Sequence, residues 1–225
     1  MKIVVLNKIK NLTFFNTKKS ELILYVIIGV CAALKGPFLH RDSYAFLEMP
    51  LNRSPLYVLF LKLFTTLFGD NYIWPLICVQ FLALVFAVHY LLKTIAKQFH
   101  LHPVEALVLQ FILLSPSIYF NYTSGAVLSE ALSYPLVLLV FALAFNAFAS
   151  LNLRPLLKSV IPLYFLILTR GQFIVFIPVF IALGIYISHQ KRSATKKWLP
   201  LLVLVLLPIF TNYSERLYNK VMFGN

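Results

Sequence analysis

Acid is scarce in this chain. Asp and Glu together number 7 of 225 residues, against 20 Lys and Arg, for a net charge of +13. Cysteine is scarcer still, with only Cys31 and Cys78, both inside apolar runs. No disulfide framework or thiolate metal site can be built from that pair. His-x-x-His and Cys-x-x-Cys spacings are missing. His40 beside Asp42 is a pair of ligands and not a site, and His100 with His102 finds only Glu105 nearby. No Gly-rich phosphate loop and no Gly-x-Ser-x-Gly elbow occurs, which argues against nucleotide and serine-hydrolase chemistry. Ser188 with Lys191 and Ser193 with Lys196 have Ser-x-x-Lys spacing, but in a lysine-rich loop without the partner motifs of an acyl-enzyme. No cofactor is expected, and a divalent ion stays open.

What the chain has in excess is apolar surface. Hydrophobic residues make up 60%, and the mean hydropathy is +0.85. That composition belongs to an all-α polytopic membrane protein. The positive charge does not imply nucleic acid, because it clusters between apolar runs, as orientation signals do. A basic, polar stretch opens the chain, and the first apolar run ends without a small-residue cleavage site, so no cleavable signal peptide is expected.

A helix needs about 20 apolar residues to cross a bilayer. On that basis seven spans are predicted, near 22–39, 72–92, 104–120, 128–149, 156–170, 171–188 and 198–213. Residues 1–21 form a basic cytoplasmic N-terminus, 22–213 a transmembrane module, and 214–225 an external tail. The stretch 55–68 is predicted as an amphipathic helix in the interface, since Lys62 lies in its middle and Arg53 and Asp70 bound it. Sidedness supports this. If 55–68 does not cross, then Lys93, Lys97, Arg154, Lys158, Lys191, Arg192, Lys196 and Lys197 all face the cytoplasm, with Arg170, Arg216 and Lys220 outside; if it crosses, the two sets exchange sides. With Arg170 and Gly171 adjacent, the stretch 156–188 is either two spans or one re-entrant hairpin.

The outer face then holds the chemistry. Asp42 follows the first span and Glu130 opens the fourth, and a carboxylate next to hydrocarbon marks a functional site by default. The plain alternatives are a solvated Asp42 paired with Arg41, and a Glu130 that merely favours the N-terminal dipole of its helix. Arg170 and Arg53 lie on the outer side against the orientation rule. Each would pair with a lipid headgroup, with Glu130 or with a substrate phosphate. Tyr44, Tyr57 and Tyr122 are candidates for lining a sugar site.

These residues fall in a serial pattern: Arg41-Asp42-Ser43-Tyr44-Ala45, then Arg53-Ser54-Pro55-Leu56-Tyr57, Leu114-Ser115-Pro116, Ser129-Glu130-Ala131-Leu132 and Leu168-Thr169-Arg170. The pattern resembles the membrane module of GT-C glycosyltransferases that use lipid-phosphate sugars, the group of the protein O-mannosyltransferases and the lipid A aminoarabinose transferases. That group often has Asp-Glu where this chain has Asp42-Ser43. The resemblance implies inverting transfer of a sugar from a polyprenyl-phosphate donor to a glycolipid, polysaccharide or protein acceptor on the outer face of a bacterial plasma membrane. It implies Asp42 as general base, with Glu130 beside it. Arg53, Arg170, Arg41, Tyr57 and Tyr44 would bind the substrate and the lipid phosphate. Members usually continue for hundreds of residues, so the chain reads as a minimal member, a fragment, or a partner-dependent or inactive relative, with a membrane partner supplying the missing part in the partner-dependent case. The competing readings are a non-catalytic accessory subunit of envelope polysaccharide assembly and, behind it, a lipid or sugar transporter.

Overall fold

The computed structural model describes residues 17–39, Ser43, Phe46, 55–119, 125–190 and 198–224. Over these the chain is helical, as an apolar backbone must be where no water can satisfy its polar groups. The helices are α1 Thr17–Lys35, α2 Pro55–Phe68, α3 Ile73–Phe99, α4 Pro103–Tyr119, α5 Glu130–Ser150, α6 Leu153–Thr169, α7 Phe176–Gln190 and α8 Trp198–Phe223. Short 3-10 turns at Gly69–Asn71 and Gly171–Val175 lead into α3 and α7. Among the described residues, Ile73–Phe99, Glu130–Ser150 and Gly171–Gln190 are long and apolar enough to cross a membrane, and Pro103–Ser117 is a shorter apolar helix.

Seven of the helices alternate in direction and α2 does not. The end of α1 reaches Phe38, whose N–H donates to the Gly125 carbonyl at 2.9 Å, while the Val127 N–H donates back to the Phe38 carbonyl at 3.3 Å. That bridge marks one pole of the bundle, here called the upper pole. Leu76 near the start of α3 packs against the same Ala126–Leu128 segment, so α3 also begins there. Tyr57, Val58, Leu61 and Phe64 of α2 join this one cluster. The buried face of α2 therefore packs into the cluster at the upper pole. Its outward face carries Leu59, Leu63 and Leu67 alongside Lys62, all exposed. The helix is thus less amphipathic than its lysine suggests, because both of its faces are mainly apolar.

At the lower pole, α5 turns into α6 through two residues. Leu151 adopts the left-handed conformation (φ 47°), and Asn152 caps α6 by accepting the Arg154 N–H at 3.0 Å. Arg170 ends α6 in extended backbone, and α7 returns antiparallel along it. At the lower pole Tyr186 of α7 stacks on Phe148, and Gly184 sits where a Cβ would lie 3.1 Å from Leu156 Cδ2. The stretch predicted as either two spans or a hairpin is therefore two separate helices, each running from pole to pole.

Helix α8 differs from expectation. It continues to Phe223, past the predicted span end at 213, so residues 214–223 are helical. The reason lies in its buried face: Leu204, Leu207, Thr211 and Tyr218 keep helical spacing and are all buried, so the helix goes on gaining contacts up to the upper pole.

Large side chains that would be costly in water lie open around the bundle, such as Leu22, Val26, Val30 and Leu34 on α1 and Leu82 and Phe86 on α3. This is the outer surface of a membrane protein.

Candidate functional site

The upper pole collects the polar groups. Helix α5 starts with Glu130, where the N-terminal dipole favours a carboxylate. Ser129 does not cap the helix with its side chain. Its hydroxyl donates instead to Glu130 Oε2 at 3.2 Å. Across the pole, Arg170 Nη1 lies 3.0 Å from Glu130 Oε1, and both side chains are 37% exposed. The backbone of Arg170 is fixed on both sides: its N–H donates to the Leu166 carbonyl at 3.0 Å, and its carbonyl accepts from Phe173 N–H at 3.1 Å. An arginine on the lysine-poor pole thus has a specific partner, one of the three offered to it above, and part of its guanidinium remains accessible.

Beneath this pair lies Tyr57, which is fully buried. Phe46 packs on it edge to face at 5.1 Å, and Gln80 of α3 donates its amide N–H to the Tyr57 hydroxyl oxygen at 3.2 Å. Burial holds the phenol well above its ordinary pKa, and the nearby charge of Glu130 adds to the effect. Tyr57 is expected from the sequence to touch substrate, and the structure places it fully buried with Gln80 on its hydroxyl.

Asp42, Arg41, Tyr44, Arg53 and Tyr122 lie outside the described residues. Their neighbours in sequence do not. Phe38 is bridged to Ala126, four residues ahead of Glu130, and Ser43 and Phe46 are buried. Phe38 and Phe46 are therefore both held against the shell that contains Ala126 and Tyr57.

Sequence reasoning passed over α8. Thr211, Glu215, Tyr218 and Met222 share one face, of which Thr211 and Tyr218 are buried and Met222 packs into the Tyr57 cluster. Glu215 is half-buried on that face, and the Tyr218 hydroxyl is buried with no hydrogen-bond partner among the described residues. The spacing that reveals this was present in the sequence, hidden by ending the span at 213. Among the described residues no group of His, Cys, Asp and Glu has a metal-holding arrangement.

The sequence matches the family described as dolichyl-phosphate-mannose-protein mannosyltransferase over residues 52–214. The chain belongs to this family. As a member of the dolichyl-phosphate-mannose-protein mannosyltransferase family, it is a membrane glycosyltransferase of the GT-C type. The matched stretch contains Arg53, Tyr57, Glu130 and Arg170, and begins after Asp42. Neither the curated proteins nor the solved structures give a match.

Proposed function

We propose that the chain transfers a sugar from a polyprenyl-phosphate donor to an acceptor hydroxyl at the upper pole, with inversion and with Asp42 as general base. The observation that carries this reading is the Glu130–Arg170 pair, half-open at the pole where Phe38 and Phe46, which flank Asp42 in the sequence, are packed. In the step, the acceptor oxygen attacks the anomeric carbon while the Asp42 carboxylate takes its proton. The bond from the anomeric carbon to the phosphate oxygen breaks, and its electron pair leaves with the polyprenyl phosphate. A phosphate monoester is a good leaving group and needs no strong acid. Its charge needs cations, which are Arg170 and Arg53. Glu130 holds the Arg170 guanidinium in place, and its own charge tempers how tightly the departing phosphate is bound. Arg41 and Tyr44 belong to the same loop as Asp42 and complete the donor pocket.

The upper pole then faces away from the cytoplasm, the N-terminus lies inside, and the seven alternating helices span the membrane of a bacterial cell with α2 in the outer interface. In support of this orientation, Lys93, Lys97, Arg154 and Lys158 all belong to the lower pole.

The test is transfer from labelled polyprenyl-phosphate sugars in membranes holding the wild type or Asp42→Asn. Transfer that is lost in the variant, with the protein still inserted, supports the base assignment. Full activity in Asp42→Asn overturns it. A second reading has one observation in its favour: the family match starts after Asp42. On that reading the chain is a non-catalytic subunit of an envelope glycosylation machine, and it is inactive alone and co-purifies with an active partner.

A further inference from the structure

An open, almost wholly apolar groove of about 460 Å³ runs down the side of the bundle between α3 and α6, with α5 as its floor. Phe86 and Tyr90 form one wall, Leu139 is part of the floor, and Pro162 and Phe165 form the other wall. The one charged residue in its lining is Lys158.

Helical spacing extends that charge. On α3 the positions 86, 90, 93 and 97 follow one face, so Lys93 and Lys97 continue the line of Phe86 and Tyr90 toward the lower pole. On α6 the positions 154, 158, 161 and 165 do the same, and Arg154 lies one turn below Lys158. All four cations are exposed. The described acids of the lower pole are engaged elsewhere. Glu21 lies 3.9 Å from His89, and Glu105 accepts the His102 N–H at 2.7 Å. An apolar slot thus opens, at one end only, between two walls that each carry a pair of cations without an acidic partner among the described residues.

We propose that this groove is a binding site for an anionic phospholipid of the leaflet at the lower pole. One acyl chain lies along Phe86, Leu139 and Phe165, and the headgroup phosphate rests between Lys93 and Lys158. Charge decides the occupant. A zwitterionic lipid would fill the slot equally well but would bring an ammonium to a cluster of four cations, whereas an anionic headgroup leaves its phosphate unopposed. The same argument separates this lipid from a sugar donor, whose phosphate belongs with Arg170 at the opposite pole. The site is independent of whether the chain performs transfer.

The experiment is native mass spectrometry of the purified full-length protein in detergent, titrated with phosphatidylglycerol or phosphatidylcholine of identical chains. Three variants accompany the wild type: Lys93→Ala with Lys158→Ala, the groove-filling Leu139→Trp, and Arg216→Ala with Lys220→Ala as a charge-matched control at the upper pole. The wild type is expected to retain phosphatidylglycerol preferentially. The preference falls about fivefold per lysine removed in the first variant and is unchanged in the control. Leu139→Trp lowers retention of both lipids. Equal retention of the two lipids by the wild type, or an equal loss of preference in the control, overturns the site and leaves only non-selective lipid contact. A phosphatidylglycerol adduct displaced by polyprenyl phosphate, in wild type and lysine variant alike, would reassign the groove to the donor's chain.

Discussion

Arg170 Nη1 meets Glu130 Oε1 at 3.0 Å, joining the end of α6 to the first residue of α5. Both partners are more than a third exposed, so the pair adds little to stability, about 0–1 kcal/mol. Its worth lies in fixing a guanidinium at an open pole. Arg170→Ala is expected to lower the rate of transfer by about 10²–10³, the usual loss when a donor to developing charge is removed. The thermal midpoint should barely move. Arg170→Lys restores charge without the planar fork and recovers only part of the rate. Kinetics and thermal unfolding on the same preparations check this, and a rate loss that tracks the stability loss would make the pair purely structural.

The bond from Gln80 to Tyr57 makes a different prediction. Tyr57→Phe removes the acceptor of that bond and should cost about 0.5–1.5 kcal/mol, the net worth of one hydrogen bond. With Gln80→Leu added, the double variant should lose less than the sum of the two single losses. A thermal shift series on the two single variants and the double variant measures it. Additive losses would show that the two side chains are not coupled.

Sidedness is open to direct labelling. In a Cys31→Ala, Cys78→Ala background, single cysteines at Leu39 and Asn71 are expected to react with an impermeant maleimide from one side of the membrane. A cysteine at Ser150 should react only from the other. Leu39 precedes α2 and Asn71 follows it, so labelling from opposite sides would mean that α2 crosses the bilayer.

Gly184 allows α7 to approach its neighbours closely. An added Cβ would lie 2.6 Å from Leu201 Cδ2 and 3.1 Å from Leu156 Cδ2. Gly184→Leu overpacks this contact among α6, α7 and α8 and should cost about 1–3 kcal/mol. Gly171→Leu, at a glycine with open space around it, serves as the control. A lower thermal midpoint in the first variant alone is the expected result.

The sequence by itself determined where the helices lie. Runs of apolar residues are a local property, and the bilayer sets their length, so most helix ends fall within a few residues of the predicted span ends, and 55–68 coincides with α2. The charge pattern predicts α2 in the interface, because one crossing helix more or less exchanges the sides of every later lysine. The ends that moved did so for reasons hydropathy does not carry. Helix α3 runs on to Phe99 with Lys93 and Lys97 on its exposed face, and α8 runs on to Phe223 because Tyr218 is buried against the Tyr57 cluster. Only the tertiary structure decided which polar groups meet. Arg170 had three eligible partners in the sequence, and the choice of Glu130 depends on the rotation of α5 and α6 about their axes. Tyr57 is a candidate in the sequence because it lies on the predicted outer face, and its burial against Phe46 and Gln80 depends on how α2 packs. Helix rotation is set by interlocking side chains from segments distant in the chain, and no local pattern records it.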